Sequence, residues 1–329
     1  MTRERIIEAL GKVGERGILQ SELGELLGLS PSTISEILNE LEVLKIIVRR
    51  EIGRKVKKVW LRKMAPFPLE NTLRVGILRA SEYPHVLLAL SEIQNEGIET
   101  HLEIFENALD ATSAAVSGRI DVVFSPMITQ LVFSLVTRRM LIWASCGFNG
   151  GGLVLRGERI RRIASSELST MERVLSTMER MEDAEIKYSR SAEEMIGMLE
   201  RGEVDAIAIW EPYLSMMKER GYRTVYFSEK FGDYICCTAG VSSEFLEENR
   251  EIFRKFAKIY KKASEEIEER FQEASMLLSS VLGIPKRIVE ESMRNFKFDW
   301  RIDRKEIERA LRSTGLSVNE RRMREILLE

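Results

Sequence analysis

The sequence predicts an α/β protein with a small amino-terminal unit of helices and a hairpin, followed by a larger α/β domain of two lobes. Two observations predict this division. Residues 1–63 carry 13 Lys and Arg against 9 Glu, a net charge of +4, whereas the whole chain carries −2. Beyond residue 72, strand and helix patterns alternate, and one helix–Gly–strand pattern occurs twice.

Length and composition bound the class of protein. A chain of 329 residues with 44% hydrophobic and 31% charged residues can form two or three packed cores, which excludes a disordered chain. No apolar run approaches the roughly 18 to 20 residues that a membrane span needs. The start, residues 1–5, leads into an amphipathic helix instead of a signal peptide. We therefore expect a cytoplasmic protein without a membrane partner.

Cysteine and histidine residues are few. Cys236 and Cys237 are adjacent, Cys146 is distant in sequence, and His85 and His101 are the only histidines. This spacing fits neither a disulfide framework nor a metal finger. We expect reduced, buried thiols, no metal site and no cofactor.

Residues 1–63 predict three helices and then a hairpin. Apolar residues recur at helical spacing in residues 3–13, and again in residues 20–27 before Gly28. Ser30 and Pro31 then supply an N-cap and a first-turn proline for the third helix. The runs 46–50 and 56–62 predict the two strands of the hairpin.

The third helix and the hairpin expose polar and basic side chains. Residues 45–63 contain nine basic residues and one Glu, a density that points to a polyanion. Short polar groups near the start of a helix can reach base edges, and a basic hairpin can contact phosphates. The candidate DNA contacts are Ser32, Thr33, Ser35, Asn39, Arg49, Arg54, Lys55 and Lys57.

Residues 1–63 resemble the winged helix-turn-helix domains of bacterial and archaeal transcription regulators. The segment ILQSELGELLGLSPSTISEILNELEVLKIIVRR has the cap, turn, helix and wing in the order of that family. The resemblance implies binding to double-stranded DNA as a homodimer on two half-sites, although some winged helices bind protein instead.

A proline-containing linker separates the two parts of the chain. Pro66 and Pro68 fall where the charge changes sign, so we predict a winged-helix domain at 1–63, a linker at 64–71 and a second domain at 72–329. A strand, a helix and another strand follow the linker, and this order predicts a parallel sheet covered by helices.

An internal repeat predicts two similar lobes. Gly118 and Gly202 lie 84 residues apart, as do Asp121 and Asp205, and each Gly–X–X–Asp pattern joins a helix to a buried strand. Ligands of open parallel sheets bind at the carboxyl ends of the strands. The side chains that follow these strands, Ser125 and the pair Trp210–Glu211, are therefore expected to face a common cleft.

Residues 73–270 resemble the type 2 periplasmic-binding-protein fold, nearest to the alkanesulfonate, taurine, nitrate and thiamine-pyrimidine binding group. The matching segments are Gly202–Ala206 (GEVDA) and Trp210–Tyr213 (WEPY). The resemblance implies lobe 1 at about 72–155 and 228–329, and lobe 2 at about 156–227. The helical segments after residue 250 either pack on lobe 1 or form a dimer contact. The implied ligand contacts are Ser81, Glu82, Tyr83, Ser125, Ser145, Ser166, Ser169, Thr170, Trp210 and Glu211.

The two resemblances together predict a one-component transcription regulator that senses a small polar metabolite. Trp210 and Tyr83 can stack on a heterocycle, and Glu82 or Glu211 can pair with an amine, which favours an uncharged or cationic ring over a sulfonate. Arg79 favours an anion instead, so a pyrimidine, a sulfonate and an amino acid all remain open.

The alternative is a cytoplasmic enzyme on the same two-lobed fold, similar to the menaquinone-pathway enzymes. In that case the winged helix would regulate it or hold an oligomer together. Residues Asp121–Pro126 (DVVFSP) bear a short likeness to those enzymes. No spacing singles out a catalytic acid or base, so we expect no catalytic residues and no enzyme activity.

Overall fold

A computed structural model describes residues 2–54, 56–178, 184–313 and 318–328. The chain forms two compact units. Unit 1 comprises Met1–Pro68 with Ser117–Arg119, and unit 2 comprises Leu69–Val116 and Ile120–Glu329. Within the described ranges, no helix is both long enough and apolar enough to cross a membrane.

Unit 1 contains three helices and a three-stranded antiparallel sheet. Ser30 caps the third helix by accepting a hydrogen bond from the Thr33 backbone N–H at 3.1 Å. Residues 18–19, which lie between the first two predicted helices, form a short strand that pairs with the hairpin. The elements are α1 (Thr2–Val13), β1 (Ile18–Leu19), α2 (Gln20–Leu27), α3 (Pro31–Val43), β2 (Ile47–Gly53) and β3 (Val56–Leu61), with the sheet order β1-β3-β2.

The start of the predicted linker is packed against unit 1. Ala65 and Phe67 are buried, and the Phe67 ring lies edge-on to Trp60 with their centroids 5.1 Å apart. The Trp60 indole also donates a hydrogen bond to the Glu15 carbonyl at 2.9 Å. A Cβ on Gly17 would lie 2.3 Å from the same indole, so this position admits only glycine. Residues 65–67 therefore belong to a folded core.

Unit 2 begins with alternating strands and helices, as predicted. Strand β4 pairs in parallel with both β5 and β6. The elements are β4 (Thr72–Leu78), α4 (Pro84–Asn95), β5 (Glu99–Phe105), α5 (Ala108–Val116), β6 (Val122–Pro126), α6 (Met127–Thr137) and β7 (Met140–Asn149).

A second sheet follows, in which β9 runs parallel to β10 and β11. Its elements and the intervening helices are β8 (Gly151–Leu155), β9 (Arg162–Ser165), α7 (Thr170–Leu175), β10 (Glu185–Tyr188), α8 (Ala192–Arg201), β11 (Ala206–Trp210), α9 (Tyr213–Glu219) and β12 (Arg223–Tyr226).

The chain then returns to the first sheet and ends in helices. The remaining elements are α10 (Ser228–Phe231), β13 (Ile235–Ser242), α11 (Ser243–Glu248), α12 (Arg250–Glu265), α13 (Phe271–Leu282), α14 (Lys286–Met293), β14 (Phe296–Lys297), α15 (Arg304–Ser313) and α16 (Glu320–Ile326). Helices α12 and α13 pack on α4, while α15 and α16 pack on α6. Helix α14 packs on α9 of the second lobe, so these helices contact both lobes, and the dimer contact stays a prediction.

Two sheets define the two lobes of unit 2. The first has the strand order β14-β7-β13-β6-β4-β5 and the second has the order β10-β9-β11-β8-β12. Strand β8 pairs with β11 and β12, so the second lobe begins at Gly151. The predicted boundary at residue 156 was therefore five residues late, because the sequence does not show which sheet accepts a strand at a crossing.

The two aspartates of the repeat have different surroundings. Asp121 is buried and accepts hydrogen bonds from the backbone and the side chain of Arg74, with an Nη2–Oδ1 distance of 2.6 Å. Asp205 accepts two backbone N–H bonds at 3.0 Å, from Arg161 and Arg162, in a partly exposed position. Each aspartate stands just before a central strand, but only Asp121 neutralises a buried cation.

Replacing Asp121 should therefore destabilise the protein much more than replacing Asp205. Asp121→Ala removes the carboxylate that faces the buried Arg74, which should cost about 3 to 5 kcal/mol of unfolding free energy. Asp205→Ala removes hydrogen bonds at a partly exposed site and should cost about 1 kcal/mol. Urea unfolding followed by circular dichroism measures both variants, and equal losses would contradict the assignment.

Candidate functional site

A narrow cavity of about 30 Å³ lies between the two sheets of unit 2. Residues that line it follow the carboxyl ends of β4, β5, β6, β9 and β11. This is the edge at which open parallel sheets bind ligands. Its walls are largely apolar, with Leu78, Ala80, Met171 and Trp210 among them.

Three helices of the first lobe begin at the cavity. Tyr83 precedes α4, Asn107 precedes α5 and Pro126 precedes α6, and all three residues line the cavity. The free N–H groups and the dipole of a helix N-terminus favour negative charge. Among the described lining residues, none is Lys or Arg. Any attraction of this wall for an anion would therefore have to come from the backbone.

Glu82 and the two adjacent cysteines meet on one side of the cavity. Glu82 Oε1 accepts a hydrogen bond from the Cys237 backbone N–H at 3.0 Å, and the Tyr83 hydroxyl lies 3.3 Å from Cys237 Sγ. Burial raises the pKa of Glu82 to about 7, although hydrogen bonds from both cysteines oppose the shift. The carboxyl group is therefore partly protonated near neutral pH.

Polar side chains of the second lobe face Glu82 across the cavity. Ser169 caps α7 by accepting the Glu172 backbone N–H at 3.2 Å, and its hydroxyl donates to the Ser166 carbonyl at 2.7 Å. Thr170 donates to the Cys236 carbonyl at 2.7 Å and so joins α7 to β13. These hydroxyl groups already have protein partners.

The cavity brings together six of the ten predicted ligand contacts. Trp210 is placed by a hydrogen bond from its indole N–H to the Arg79 carbonyl at 3.0 Å. The six that line the cavity are Glu82, Tyr83, Ser166, Ser169, Thr170 and Trp210.

Four predicted contacts lie outside the cavity lining, and three of them are hydrogen-bonded inside the fold. The hydroxyl of Ser81 accepts a hydrogen bond from Ser292, and Ser125 is bonded to Thr112 and Gln130. Ser145 is buried on β7, away from the cavity lining. The prediction that Ser81, Ser125 and Ser145 contact a ligand is therefore not matched by their positions.

Glu211 is the fourth of these residues, and it does not face the cavity. Its carboxylate accepts hydrogen bonds from Ser215, Tyr226 and Asn295. These bonds satisfy the buried carboxylate oxygens. Arg79, considered above for an anion, is paired with Glu106 at 2.9 Å. Neither charge is directed at a ligand.

Sequence reasoning missed several lining residues. Cys236 and Cys237 were treated as inert core thiols, and Asn107 and Ala108 carry no motif. One signal for Asn107 was available in the sequence. Asn107 closely follows β5, and ligands of parallel sheets bind at the carboxyl ends of the strands.

The chain crosses between the lobes at two adjacent places. Asn149 donates its backbone N–H to the Tyr234 carbonyl at 3.0 Å, and Gly151 donates to the Tyr234 hydroxyl at 3.1 Å. Gly150 has φ +74°, and a Cβ there would lie 2.0 Å from the Phe296 ring. The glycines of this segment therefore serve a tight crossing.

The candidate DNA contacts of unit 1 differ in their accessibility. Arg49 was predicted to contact DNA phosphate. It forms an ion pair with Glu42 and donates a hydrogen bond to Asn39 at 2.7 Å, so its charge is neutralised within the fold. Lys55 lies outside the described residues. Ser35 is partly buried, and the exposed members are Ser32, Thr33, Asn39, Arg54 and Lys57.

Comparison with known proteins identifies the fold of unit 2. No family model matches the chain. A segment of 104 residues is 32% identical to a protein of Bacillus subtilis (strain 168) named for binding aliphatic sulfonates. That alignment covers 31% of this chain, and the chain spans about a third of the relative's length.

Two solved structures show the same architecture. One is the zinc-bound ligand-binding component of an ABC-type import system from Staphylococcus aureus, with a TM-score of 0.69 and 14% identity over 78% of this chain and 96% of that chain. The other is the periplasmic aliphatic sulphonate binding protein of Escherichia coli, with a TM-score of 0.63 and 15% identity over 79% and 93%. Unit 2 has the two-lobed periplasmic-binding-protein fold.

These comparisons contradict three predictions. The similar proteins are named as ligand-binding proteins, one of an import system and one of the periplasm. A transcription regulator, double-stranded DNA as its partner and a cytoplasmic location were therefore wrong. The homodimer was predicted because two DNA half-sites would need two copies of the chain. Without DNA as the partner, that reason no longer applies. These predictions rested on the basic residues of the amino-terminal segment, which make up a small part of the chain.

The protonation of Glu82 should appear in the pH dependence of stability. Because its pKa is about 7 in the folded chain and 4.5 is its ordinary value, the folded state retains a proton that the unfolded state releases. This contribution is present below pH 4.5 and is lost as pH rises through 7, by up to about 3 kcal/mol. Glu82→Gln should flatten this part of the curve, measured by urea unfolding in EDTA.

The matched control for this measurement is Glu70→Gln, at an exposed position. The Glu70→Gln variant should keep the wild-type profile between pH 4.5 and 8. A wild-type curve that rises over this interval, or that is unchanged in Glu82→Gln, would contradict the raised pKa.

Proposed function

We propose that unit 2 reversibly binds a small organic oxyanion of the sulfonate type and acts as the solute-binding component of an ABC-type importer. The observation that carries this proposal is the cavity between the lobes, which combines three helix N-termini with apolar walls. An alkanesulfonate has the matching chemistry, since its charged head suits free N–H groups and its chain suits apolar side chains.

The distribution of groups around the cavity orients such a ligand. The sulfonate head belongs near Tyr83, Asn107 and Pro126, where α4, α5 and α6 begin. The hydrocarbon chain belongs against Met171 and Trp210. Glu82 disfavours an anion when ionised, but with a pKa of about 7 the carboxyl group is partly neutral at neutral pH, and the neutral form can donate a hydrogen bond.

We propose binding without chemical turnover. The titratable groups beside the cavity are Glu82, Tyr83 and the two cysteines, and burial raises the pKa of Tyr83 and Cys237 well above their ordinary values. A phenol and a thiol of this kind stay protonated at neutral pH and make poor bases and nucleophiles. The names of the relatives, which describe ligand binding, also support this proposal.

For unit 1 we propose a winged-helix fold. The support is the order of α1, α2 and α3, followed by the β2–β3 hairpin with β1 added to its edge. We propose no partner for unit 1.

Alkanesulfonates of increasing chain length should stabilise the protein in a thermal-shift titration. A ligand at a hundredfold its dissociation constant stabilises by about 2.7 kcal/mol. Trp210→Ala should weaken binding at least about tenfold, because the variant loses an aromatic wall of the cavity. Trp300→Ala is the control, since Trp300 also forms one indole hydrogen bond, to Glu265, but does not line the cavity.

The same titration tests the other ligand classes. Stabilisation by aminopyrimidines or amino acids, with none by sulfonates, would overturn the oxyanion assignment. Mass spectrometry of the stabilising compound after long incubation should recover it unchanged, and conversion to a product would overturn binding without turnover.

A further inference from the structure

Glu82, Cys236 and Cys237 form a cluster of possible metal ligands. Their carboxylate and sulfur atoms all lie within 4.8 Å of one another, and all three residues are buried. The three residues also line the cavity. Two elements hold the cluster, since Glu82 precedes α4 and the cysteines begin β13.

A β-bulge explains why two adjacent side chains point the same way. Successive side chains of a regular strand point to opposite faces. The pairing of β13 with β7 shifts register on both sides of Cys237, so that Cys236 has no partner there. A bulge places two residues opposite one and redirects their side chains. Cys236 and Cys237 therefore both reach the cavity.

The spacing of the two sulfur atoms suits a tetrahedral ion. Zinc binds thiolate sulfur at about 2.3 Å, so two sulfurs of a tetrahedral site are about 3.8 Å apart. The Sγ atoms of Cys236 and Cys237 are 3.9 Å apart. An S–S bond needs about 2.05 Å, and the sulfurs are well beyond that distance.

The ligand chemistry favours zinc over the harder cations. Calcium and magnesium prefer sites made of oxygen atoms, whereas two thiolates and one carboxylate suit zinc. We propose that Glu82, Cys236 and Cys237 bind one zinc ion in the wall of the cavity. Three protein ligands leave the fourth tetrahedral position for a water molecule or a solute, as in zinc sites that take part in binding or catalysis.

The surroundings of the two thiols differ in how far they favour ionisation. The guanidinium of Arg173 interacts electrostatically with Cys236, and so offsets part of the negative charge of the thiolates. Burial holds Cys237 protonated without metal, so zinc must displace its proton. Zinc binding should therefore release protons and strengthen as pH rises.

The test uses the full-length chain, reduced and stripped of metal, without any sulfonate present. Titration with zinc chloride in a calorimeter should show one tight ion per chain. Cys236→Ser and Cys237→Ser should each bind at least about 100-fold more weakly, because each loses a thiolate ligand. Cys146→Ser is the matched control, since Cys146 is also a buried free thiol but lies outside the cluster. It should bind as the wild type does.

Two further measurements do not depend on calorimetry. Cobalt bound to the wild type should show the ultraviolet absorption of thiolate coordination, reduced by about half in either serine variant of the cluster. In the unmodified protein, zinc should slow alkylation of Cys236 and Cys237 but not of Cys146, measured by peptide mass spectrometry. This second measurement needs no variant to fold.

The proposal is overturned if the wild type binds zinc no more tightly than Cys236→Ser and Cys237→Ser. It is also overturned if zinc protects Cys146 as strongly as the other two cysteines. Because these experiments contain no sulfonate, failure of the zinc site would leave the oxyanion proposal standing, and the reverse also holds.

Discussion

The two-sided pairing of β13 is the constraint on which the architecture of unit 2 depends. All eight residues of this strand are buried, and its backbone must satisfy hydrogen bonds to both β6 and β7. β13 also follows directly on the second crossing of the chain between the lobes. One strand thus completes the first sheet, anchors the return from the second lobe and delivers Cys236 and Cys237 to the cavity.

The cavity obtains its electrostatic character from backbone more than from side chains. Arg79 is paired with Glu106, and Glu211 is held by hydrogen bonds from uncharged side chains, so neither charged group lines the cavity. The helix N-termini of α4, α5 and α6 remain, together with one buried carboxyl group, Glu82. The proposed binding of an oxyanion therefore depends on where these helices begin.

The sequence allowed prediction of the two-lobed fold because its signals are local. The glycines of the repeat both adopt positive φ, +83° at Gly118 and +74° at Gly202, and the aspartates three residues later precede central strands. The direction of a side chain is not a local property. Ser125 and Glu211 follow the expected strands, yet packing turns both into hydrogen-bonded networks away from the cavity.

The positions of the cysteine side chains could not be predicted from the sequence either. Cys236–Cys237 lacks any recognised metal spacing, and only the register of β13 against β7 places the two sulfurs on one face. A bulge of this type depends on pairing with a distant strand, so residues near the cysteines carry no signal for it.

The paired crossings between the lobes have a mechanical consequence. Asn149 and Tyr234 are joined by hydrogen bonds, so the two connecting segments move as one short ladder. The lobes are also joined outside this ladder, by hydrogen bonds from Thr170 to the Cys236 carbonyl, from the Trp210 indole to the Arg79 carbonyl and from Asn295 to Glu211. Separation of the lobes would therefore break these three hydrogen bonds, while each sheet would keep its own strand pairing.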